Sequence, residues 1–287
     1  MPASVLIVGP ASWNTIVVLD RLPEPVPHMQ FAQDTWETVG GTSAGKALSL
    51  TALGRATTLC AQAGGDEHGA RLRDALRAAG VHVRWTEGLT ERHLNLMTRR
   101  GERVSLYLAA PRPTGGEQDE SLRAAMAAAD AVVLDLGAES ERLLPLAREV
   151  GTPIWVDVHD YDGESDFHWP FLAVADAVFC NADRLDDPVA FLRGCIGGGA
   201  RLAVCTLGAE GAVAIDEDGA EHRVAAVPVD VTDTNGAGDA FLAGVLDARL
   251  SGAAVGDALA AGATSASAVL RTRHLHPLLD AVLPLSR

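Results

Sequence analysis

The sequence predicts an α/β fold, in which helices cover both faces of a mostly parallel β-sheet. The first observation is that short apolar runs, typical of strands buried on both faces, alternate with longer amphipathic or Ala-rich stretches, typical of helices. Strands joined through helices pair in parallel, with right-handed crossovers. The second is size and composition: 48% of the 287 residues are hydrophobic and 21% are charged, so a sizeable core is expected, and the length allows one large domain or one domain with a sizeable insertion.

The alternation can be followed along most of the chain. Apolar runs predict strands at Ser4–Val8, Ala56–Ala61, Val81–Trp85, Ala131–Leu136, Ile154–Val158, Ala175–Cys180 and Leu202–Leu207. Helical patterns lie at Gly45–Leu53, Glu67–Ala79, Glu141–Val150, Pro188–Ile196 and Gly236–Leu250. Gly54 and Gly80 come at the ends of the first two helices, where a left-handed terminal residue is common.

Two stretches, Trp13–Val39 and His93–Leu108, interrupt this alternation. They lack helical periodicity and carry the two-residue alternation of strands, so they predict a small β subdomain set apart from the main sheet. Such a subdomain is either a lid over a site or a peripheral decoration, and the pattern alone favours neither.

The charge of the chain bears on its partners. The formal net charge is −15, with an isoelectric point near 4.9, and such a chain repels polyanions at long range. We therefore expect neither nucleic acid nor an anionic membrane as a main partner. A phosphate needs only a local patch of oriented donors, so ATP is not excluded.

The cysteines and the N-terminus indicate a compartment. None of the four cysteines forms a CxxC pair, and three lie in or beside apolar runs, which favours buried thiols in a reducing environment over disulfides or zinc. The N-terminal apolar run is too short for a signal peptide and lacks a basic flank. No stretch approaches the roughly 20 apolar residues that span a bilayer. A cytoplasmic location is expected.

The strongest chemical signal is V-T-D-T-N-G-A-G-D-A-F-L-A-G, from Val231 to Gly244. Gly236, Ala237 and Gly238 put backbone N–H groups, little masked by side chains, at the start of a helix, where an anion binds. Asp239 follows at once, so it is placed to accept the proton of an attacking hydroxyl while the N–H groups stabilise a transferring phosphoryl group. The alternative, a first-turn aspartate that only stabilises the helix, leaves the Gly-Ala-Gly run unexplained.

This motif resembles the D-T-x-G-A-G-D signature of the ribokinase-like (PfkB) carbohydrate kinase family. Three further matches occur in the family's order. Gly40-Gly41-Thr42-Ser43-Ala44-Gly45 resembles its G-G-x-x-x-N signature, Gly64-Gly65-Asp66-Glu67-His68-Gly69 its G-x-D-x-x-G turn, and Thr206-Leu207-Gly208-Ala209-Glu210-Gly211 its T-x-G-x-x-G loop. The resemblance covers nearly the whole chain. It implies a single ribokinase-like domain over residues 1–287, a three-layer α/β/α sandwich whose small β-sheet lid draws strands from about 13–39 and 93–108.

The resemblance also implies roles for particular residues. Asp239 would be the catalytic base, and the amides of residues 236–238 the anion hole. Substrate contacts are expected at Asn14, Gly40 and Gly41. Residues expected along the nucleotide are Asn181, Thr206, Gly208, Gly211 and Thr234. ATP and Mg²⁺ are the implied cofactors. The family's lid often mediates dimerisation and excludes water, so the resemblance allows a homodimer through the lid without establishing it.

The chain departs from the family pattern at its substrate and metal contacts. Asn14 stands where the family has Asp, and Gly45 where it has Asn. The family's N-x-x-E motif appears as Asn181-Ala182-Asp183-Arg184, so Arg184 replaces the carboxylate that organises Mg²⁺. Asp183 or Asp186 could substitute, or Arg184 could contact phosphate directly.

A monovalent cation is also implied by the resemblance. In many family members it lies behind the anion hole, held partly by the residue that matches Asp233. The expected C-terminal Gly-Ala turn is replaced here by Arg273-His274-Leu275-His276, so K⁺ dependence is left open.

A loop rich in histidines and carboxylates, residues 159–168, follows the strand Ile154–Val158. It could be a solvated acidic loop or a structural metal site. A third interpretation, which we favour, is that His159 or Asp160 contacts the substrate or ATP·Mg²⁺, since ligands of α/β sheets bind at the carboxyl ends of strands.

Together these observations predict an ATP-dependent phosphotransferase that acts on a hydroxyl of a sugar or sugar-like molecule. The alternatives are a nucleoside kinase of the same superfamily and a nucleotide- or sugar-binding homologue with weak turnover. An apolar, aromatic acceptor pocket would favour the nucleoside, and several polar groups would favour the sugar. A Rossmann dehydrogenase is disfavoured because no G-x-G-x-x-G follows the first strand.

Overall fold

The computed structural model describes residues 3–283. Helices pack on both faces of one large sheet, and a second, smaller sheet stands apart from it. The strands are β1 (Ser4–Val8), β2 (Ser12–Leu19), β3 (Asp34–Gly40), β4 (Ala56–Ala63), β5 (Val83–Glu87), β6 (Glu91–Thr98), β7 (Arg103–Ala109), β8 (Ala131–Leu134), β9 (Ile154–Asp157), β10 (Ala177–Asn181), β11 (Leu202–Thr206), β12 (Ala212–Asp216) and β13 (Glu221–Val224). The helices are α1 (Thr42–Ala52), α2 (Glu67–Ala78), α3 (Asp119–Ala128), α4 (Ala138–Val150), α5 (Trp169–Leu172), α6 (Pro188–Gly197), α7 (Ala237–Leu250) and α8 (Val255–Val269).

The large sheet has nine strands in the order β13-β12-β11-β10-β9-β8-β1-β4-β5. The seven strands from β11 to β5 pair in parallel, and β12 and β13 continue the sheet antiparallel. Strands such as β8 and β9 are buried along their whole length because helices cover both faces. The carboxyl ends of the parallel strands therefore meet at one edge of the sheet.

The core is divided by the large sheet into two layers. One layer contains side chains of α1, α2, α7 and α8, and the other those of α3, α4 and α6. α7 is buried from Ala240 to Leu246, so the helix that carries the glycine-rich motif lies within the core and is held there by α8 and α1. Its amino terminus lies at the edge of the large sheet.

The small sheet has the order β3-β2-β6-β7. β2 pairs antiparallel with β3 and parallel with β6, and β7 forms the outer edge. The predicted α/β/α sandwich with a small separate sheet is confirmed. Several predicted bounds are wrong by a few residues: α1 begins at Thr42 because Gly41, with φ 92°, supplies the turn before it, and β5 begins two residues later than predicted.

α5, α8, β12 and β13 were not predicted, and of α3 only the Ala-rich stretch Arg123–Ala129 stood out as helix-forming. α8 is an Ala-rich helix whose sequence lacks a strong apolar stripe, and the two strands are short additions at the sheet edge. In the described part of the chain no helix is long and apolar enough to cross a membrane.

The contact between α7 and α8 depends on two glycines. A Cβ at Gly244 would lie 2.5 Å from Ser265 Oγ and 2.8 Å from the carbonyl of Ala261. Gly262 meets α7 in the same way, since its Cβ would lie 2.7 Å from a methyl of Val245. The two backbones therefore approach more closely than any larger residue allows.

We expect Gly244→Ala to lower the free energy of unfolding by about 1–3 kcal/mol, because overpacking outweighs the gain in helix propensity. Gly194→Ala is the matched control, since Gly194 lies in α6 with open space around it and alanine there should stabilise by about 0.5–1 kcal/mol. Urea denaturation of both variants measures the difference. Equal effects would show that the helices tolerate the extra methyl group.

Candidate active site

A cavity of about 1060 Å³ lies between the carboxyl edge of the large sheet, the small sheet and the start of α7. The predicted residues that line it are Asn14, Gly40, Gly41, Asn181, Thr234, Gly236, Gly238 and Asp239. They come from both sheets and from α7, so the fold brings together residues more than 200 positions apart in the sequence. Ala237, Thr206, Gly208, Gly211 and Asp233 do not line the cavity.

The start of α7 offers free backbone donors. Gly236 precedes the helix with φ 78°, and a Cβ on it would lie 2.7 Å from the carbonyl of Leu275. The amide of Ala237 donates to the carbonyl of Thr234 at 3.3 Å. Within residues 3–283, the amides of Gly238 and Asp239 donate to no acceptor. With the positive end of a 14-residue helix behind them, they form an anion site.

Asp239 presents one free carboxylate oxygen. Its Oδ1 accepts from Lys46 Nζ at 2.8 Å and from the hydroxyl of Thr42. Its Oδ2 accepts no hydrogen bond from the described residues. Burial raises the pKa of Asp239; the cation of Lys46 opposes this, and the negative charge of Asp157 reinforces it. A carboxylate with a raised pKa and a free oxygen is suited to accept a proton.

Lys46 is fully buried among three carboxylates. Its Nζ lies 2.9 Å from Asp135 Oδ1, 3.2 Å from Asp157 Oδ2 and 2.8 Å from Asp239 Oδ1. Burial alone would lower the pKa of Lys46, but the three carboxylates raise it well above its usual value, so the amine is charged. Asp135 is further held by the hydroxyl of Ser43, which donates to its Oδ2 at 2.6 Å.

Asp157 ends β9, and His159 follows in a left-handed conformation with φ 51°, which is uncommon outside glycine. The His159 amide donates to Asp157 Oδ1 at 3.0 Å, and its Nδ1 lies 3.4 Å from Oδ2. Burial would raise the pKa of Asp157, but His159 and Lys46 outweigh it and the pKa is lowered. His159 and Asp160 both line the cavity.

The glycine pair before α1 is required by close packing. A Cβ at Gly40 would lie 2.0 Å from Asn14 Nδ2, and one at Gly41 would lie 2.5 Å from the carbonyl of Pro10. Asn14 is 6% exposed, and its Oδ1 accepts from Ser12 Oγ at 2.8 Å. The pair thus lets β3 pass directly over the side chain of Asn14.

The small sheet adds a polar wall to the cavity. Glu91, His93 and Asn95 on β6 line it, and so do Arg103 and Tyr107 on β7. Asn95 is 6% exposed, and its Oδ1 has no hydrogen-bond partner among the described residues, so it can accept from a ligand. Arg103 also donates to Asn235 Oδ1, which joins the small sheet to the motif before α7.

The residues predicted along the nucleotide lie at the neighbouring strand ends. Asn181 ends β10 beside Thr206, which ends β11, and the Ala182 amide donates to the carbonyl of Thr206 at 3.1 Å. Gly208 and Gly211 form the tight turn from β11 to β12; a Cβ at Gly211 would lie 2.0 Å from the carbonyl of Val224.

Asp233 is buried behind the motif. Its carboxylate accepts from the Asn235 amide at 2.9 Å and from Asn235 Nδ2 at 3.2 Å. Burial raises the pKa of Asp233, against those two hydrogen bonds.

The residues of the altered N-x-x-E motif lie at the rim of the site. Arg184 does not line the cavity; it pairs with Asp162 at 3.2 Å on the exposed loop after β9. Asp183 does line it, and its amide donates to Asn181 Oδ1 at 3.0 Å. Among residues 3–283 no group of three or more histidine, cysteine and carboxylate side chains is placed to hold a metal, so the structural-metal interpretation of the loop at 159–168 finds no support there.

The sequence analysis missed the polar wall of the small sheet and four residues around Asp239: Thr42, Lys46, Asp135 and Asp157. A signal for three of them was present. Asp135 and Asp157 each terminate a buried strand at the edge where ligands bind, and Lys46 is a lone charge in an otherwise apolar helix pattern. Their mutual contact, however, depends on strand order, which the sequence alone did not supply.

A buried carboxylate with a free oxygen beside a set of free amides, at the edge of an α/β/α sheet, is an arrangement suited to phosphoryl transfer to an alcohol. The comparisons with known proteins agree. The model of the pfkB family of carbohydrate kinases matches residues 3–136 and 174–279, and the chain belongs to this family.

Two curated relatives and one solved structure are similar to the chain. The acarbose 7(IV)-phosphotransferase of Actinoplanes sp. is 31% identical over 86% of this chain and 85% of its own. The nucleoside kinase of Methanothermobacter thermautotrophicus is 27% identical over 87% and 83%. A microbiome-derived acarbose kinase has a TM-score of 0.79 and 30% identity, covering 93% of this chain and 92% of its own. The chain is therefore an ATP-dependent kinase of a family whose members phosphorylate sugars or nucleosides.

We expect Gly236→Ala to destabilise the protein by about 1–2 kcal/mol, because φ 78° is unfavourable for alanine, and the contact with Leu275 should add to this cost. Gly238→Ala is the control, since a Cβ there meets nothing within 4 Å and should leave the free energy of unfolding unchanged or slightly higher. Thermal denaturation of the two variants checks this. Equal melting temperatures would show that the helix start can relax.

Proposed function

We propose that this kinase transfers the γ-phosphoryl group of ATP to a hydroxyl of a sugar or sugar-like acceptor, with Asp239 as the general base. The observation that carries the proposal is the pairing of a free Asp239 Oδ2 with the unpartnered amides of Gly238 and Asp239. One group accepts a proton where the others stabilise negative charge, which is what phosphoryl transfer requires of a protein.

The reaction needs no covalent enzyme intermediate. The acceptor O–H proton moves to Asp239 Oδ2 as the acceptor oxygen bonds to the γ-phosphorus. The bond from that phosphorus to the bridging oxygen of the β-phosphate breaks, and ADP leaves. The amides at the start of α7 hold the phosphoryl oxygens, and the small sheet closes the acceptor side of the cavity, which excludes water as a competing acceptor.

The residues present fit a nucleoside triphosphate. The free amides suit its phosphates, and Thr234 and Asn181 line the cavity beside them. Bound Mg²⁺ would neutralise phosphate charge, and Asn181 and Asp183 would hold it. Few protein carboxylates are needed, because Mg²⁺ keeps waters and binds mainly through phosphates. Arg184, paired with Asp162, would act only at a distance.

The acceptor wall favours a sugar over a nucleoside. Asn14, Glu91 and Asn95 are each less than 10% exposed and line the cavity, so a ligand there meets several buried polar groups. A hydroxyl-rich molecule can donate to the free Asn95 Oδ1, whereas an apolar surface placed there would leave this buried oxygen unpaired. Asn14 both donates and accepts, which suits adjacent hydroxyls.

Asp233 would supply the charged ligand for a monovalent cation. It is 8% exposed and accepts from the neutral amide groups of Asn235, with the Arg103 cation acting only at longer range, so a bound cation would further offset the cost of burying its charge. This role is tested by running the activity assay in KCl and in tetramethylammonium chloride, and the rate should be higher in KCl. Equal rates in the two salts would show that Asp233 does not act through a bound monovalent cation.

Asp239→Asn should lower kcat by about 10²–10⁴-fold, because the amide cannot take the proton. ADP release is measured with ATP, Mg²⁺ and a panel of pentoses, hexoses, sugar acids, nucleosides and acarbose. The wild-type rate should fall as the pH drops through the raised pKa of Asp239, since only the ionised carboxylate is a base.

The control is ATP affinity, which Asp239→Asn should leave within a few-fold. Turnover of a good acceptor by Asp239→Asn at the wild-type rate would contradict the role of the base. If ATP binds and no acceptor raises ADP release, the chain is a binding homologue. If a nucleoside is the best acceptor, the chain is a nucleoside kinase.

We also propose that two copies associate through the small sheet. β7 is its unpaired edge, and Arg103, Ser105 and Tyr107 face the cavity. The intervening side chains, Val104, Leu106 and Leu108, are 40%, 44% and 51% exposed and form an apolar strip on the opposite side. Such an edge readily pairs with another copy.

Leu106→Lys should convert a dimer into a monomer, because it places a charge in that strip. Light scattering after size-exclusion chromatography measures the mass. Leu53→Lys is the matched control, at a leucine 45% exposed after α1 and outside the small sheet. A wild-type protein that elutes as a monomer at micromolar concentration would overturn the proposal.

A further inference from the structure

The buried cluster around Lys46 is not explained by binding of either substrate. Lys46 is 0% exposed and does not line the cavity, so it cannot contact ATP or the acceptor directly. Burying a lysine is costly, and its three carboxylate partners come from three different elements: Asp135 directly follows β8, Asp157 ends β9 and Asp239 lies in the first turn of α7.

The contacts divide the Asp239 carboxylate into two unlike oxygens. Oδ1 is fixed by two donors, Lys46 Nζ and the hydroxyl of Thr42, and Lys46 donates to that same hydroxyl. All three groups therefore form one connected network on the Oδ1 side. Oδ2 is the oxygen left for a reacting hydroxyl.

Gly45 is the complementary feature on the Oδ2 side. A Cβ at Gly45 would lie 2.6 Å from Asp239 Oδ2 and 3.0 Å from its Cγ, so any side chain at this position would displace the carboxylate. Gly45 and Lys46 are adjacent on α1: the first leaves room for Asp239 and the second fixes it.

We propose that Lys46 is a positioning residue for proton transfer, which holds Asp239 ionised with Oδ2 presented to the acceptor, and that Gly45 provides the space this orientation needs. The proposal rests on the proposed function, in which Asp239 is the base. Lys46 itself does not exchange protons with the substrate. It remains charged throughout, because it faces Asp135, Asp157 and Asp239 together.

The charges around Asp239 determine the direction in which its pKa changes when Lys46 is lost. The negative charge of Asp157 destabilises the ionised form of Asp239, and Asp135 adds another negative charge beyond Lys46. The positive charges of His159 and Lys46 stabilise that ionised form. Without Lys46, the buried carboxyl group of Asp239 beside Asp157 would stay protonated up to a higher pH. In its protonated form it cannot act as a base.

The test compares Asp135→Asn with the double variant Lys46→Met/Asp135→Asn, which differ only at Lys46. The double variant loses one positive and one negative charge, so the cluster keeps its net charge and folding is protected. Aspartate carboxyl carbons are followed by ¹³C NMR over pH, with Asp239→Asn identifying the Asp239 signal. This readout needs neither ATP nor acceptor, so it stands even if no substrate is found.

We expect the Asp239 pKa to rise by about 1–3 units from Asp135→Asn to the double variant, and the acid limb of kcat/KM to move with it. kcat should fall by roughly 10²-fold, with KM for ATP unchanged, since Lys46 does not reach the nucleotide. Asp135→Asn alone should shift the Asp239 pKa below that of the wild type. A purely structural lysine predicts the same Asp239 pKa, kcat and pH profile in both proteins, and that result would overturn the proposal.

Gly45→Ala separates orientation from ionisation. Its Cβ displaces Oδ2 while Lys46 and its charge remain, so kcat should fall at least tenfold with little change in the Asp239 pKa. An unchanged kcat in a folded Gly45→Ala protein would show that the orientation of Oδ2 is unimportant.

Discussion

The structure depends on the ion pairs that one buried lysine makes with three carboxylates. Lys46 joins α1 to the ends of β8 and β9 and to the first turn of α7, so the cluster fixes the active edge of the sheet. Breaking a buried pair by removing one partner costs about 3–5 kcal/mol in measured cases, because the remaining charges are left uncompensated. Such a cluster is tolerable here only because each charge has a partner at 2.8–3.2 Å.

The rest of the site is arranged around that constraint. α7 can place Asp239 at the cluster because Gly244 and Gly262 let it pack tightly on α8, and because Gly236 lets the chain turn sharply before it. The free amides of the same first turn then lie beside the carboxylate without further adjustment. The small sheet completes the cavity from the other side and touches the motif through Arg103 and Asn235.

The fold and the anion site could be predicted from the sequence, whereas the cluster around Lys46 could not. The fold followed from alternating buried strands and helices, and the anion site from Gly236-Ala237-Gly238 before a helix-forming run, since both signals are local. The cluster around Lys46 is not local: its members lie at positions 46, 135, 157 and 239, and only strand order brings them together. A direct contact of Arg184 with phosphate was one of the alternatives, but its contact with Asp162 depends on a loop conformation that no sequence pattern indicated. The cytoplasmic location and the single-domain organisation stay predictions.

A crystal structure with a non-hydrolysable ATP analogue, Mg²⁺ and an active acceptor would show which carboxylate oxygen the acceptor hydroxyl contacts. We expect the acceptor hydroxyl to lie about 2.6–3.2 Å from Asp239 Oδ2, in line with the γ-phosphorus, and Oδ1 to keep its contacts with Lys46 and Thr42. The γ-phosphoryl oxygens should accept from the amides of Gly238 and Asp239. An acceptor hydroxyl that instead meets Asp157 or Asp160, with Asp239 turned wholly toward Lys46, would contradict the role of Asp239 as the base.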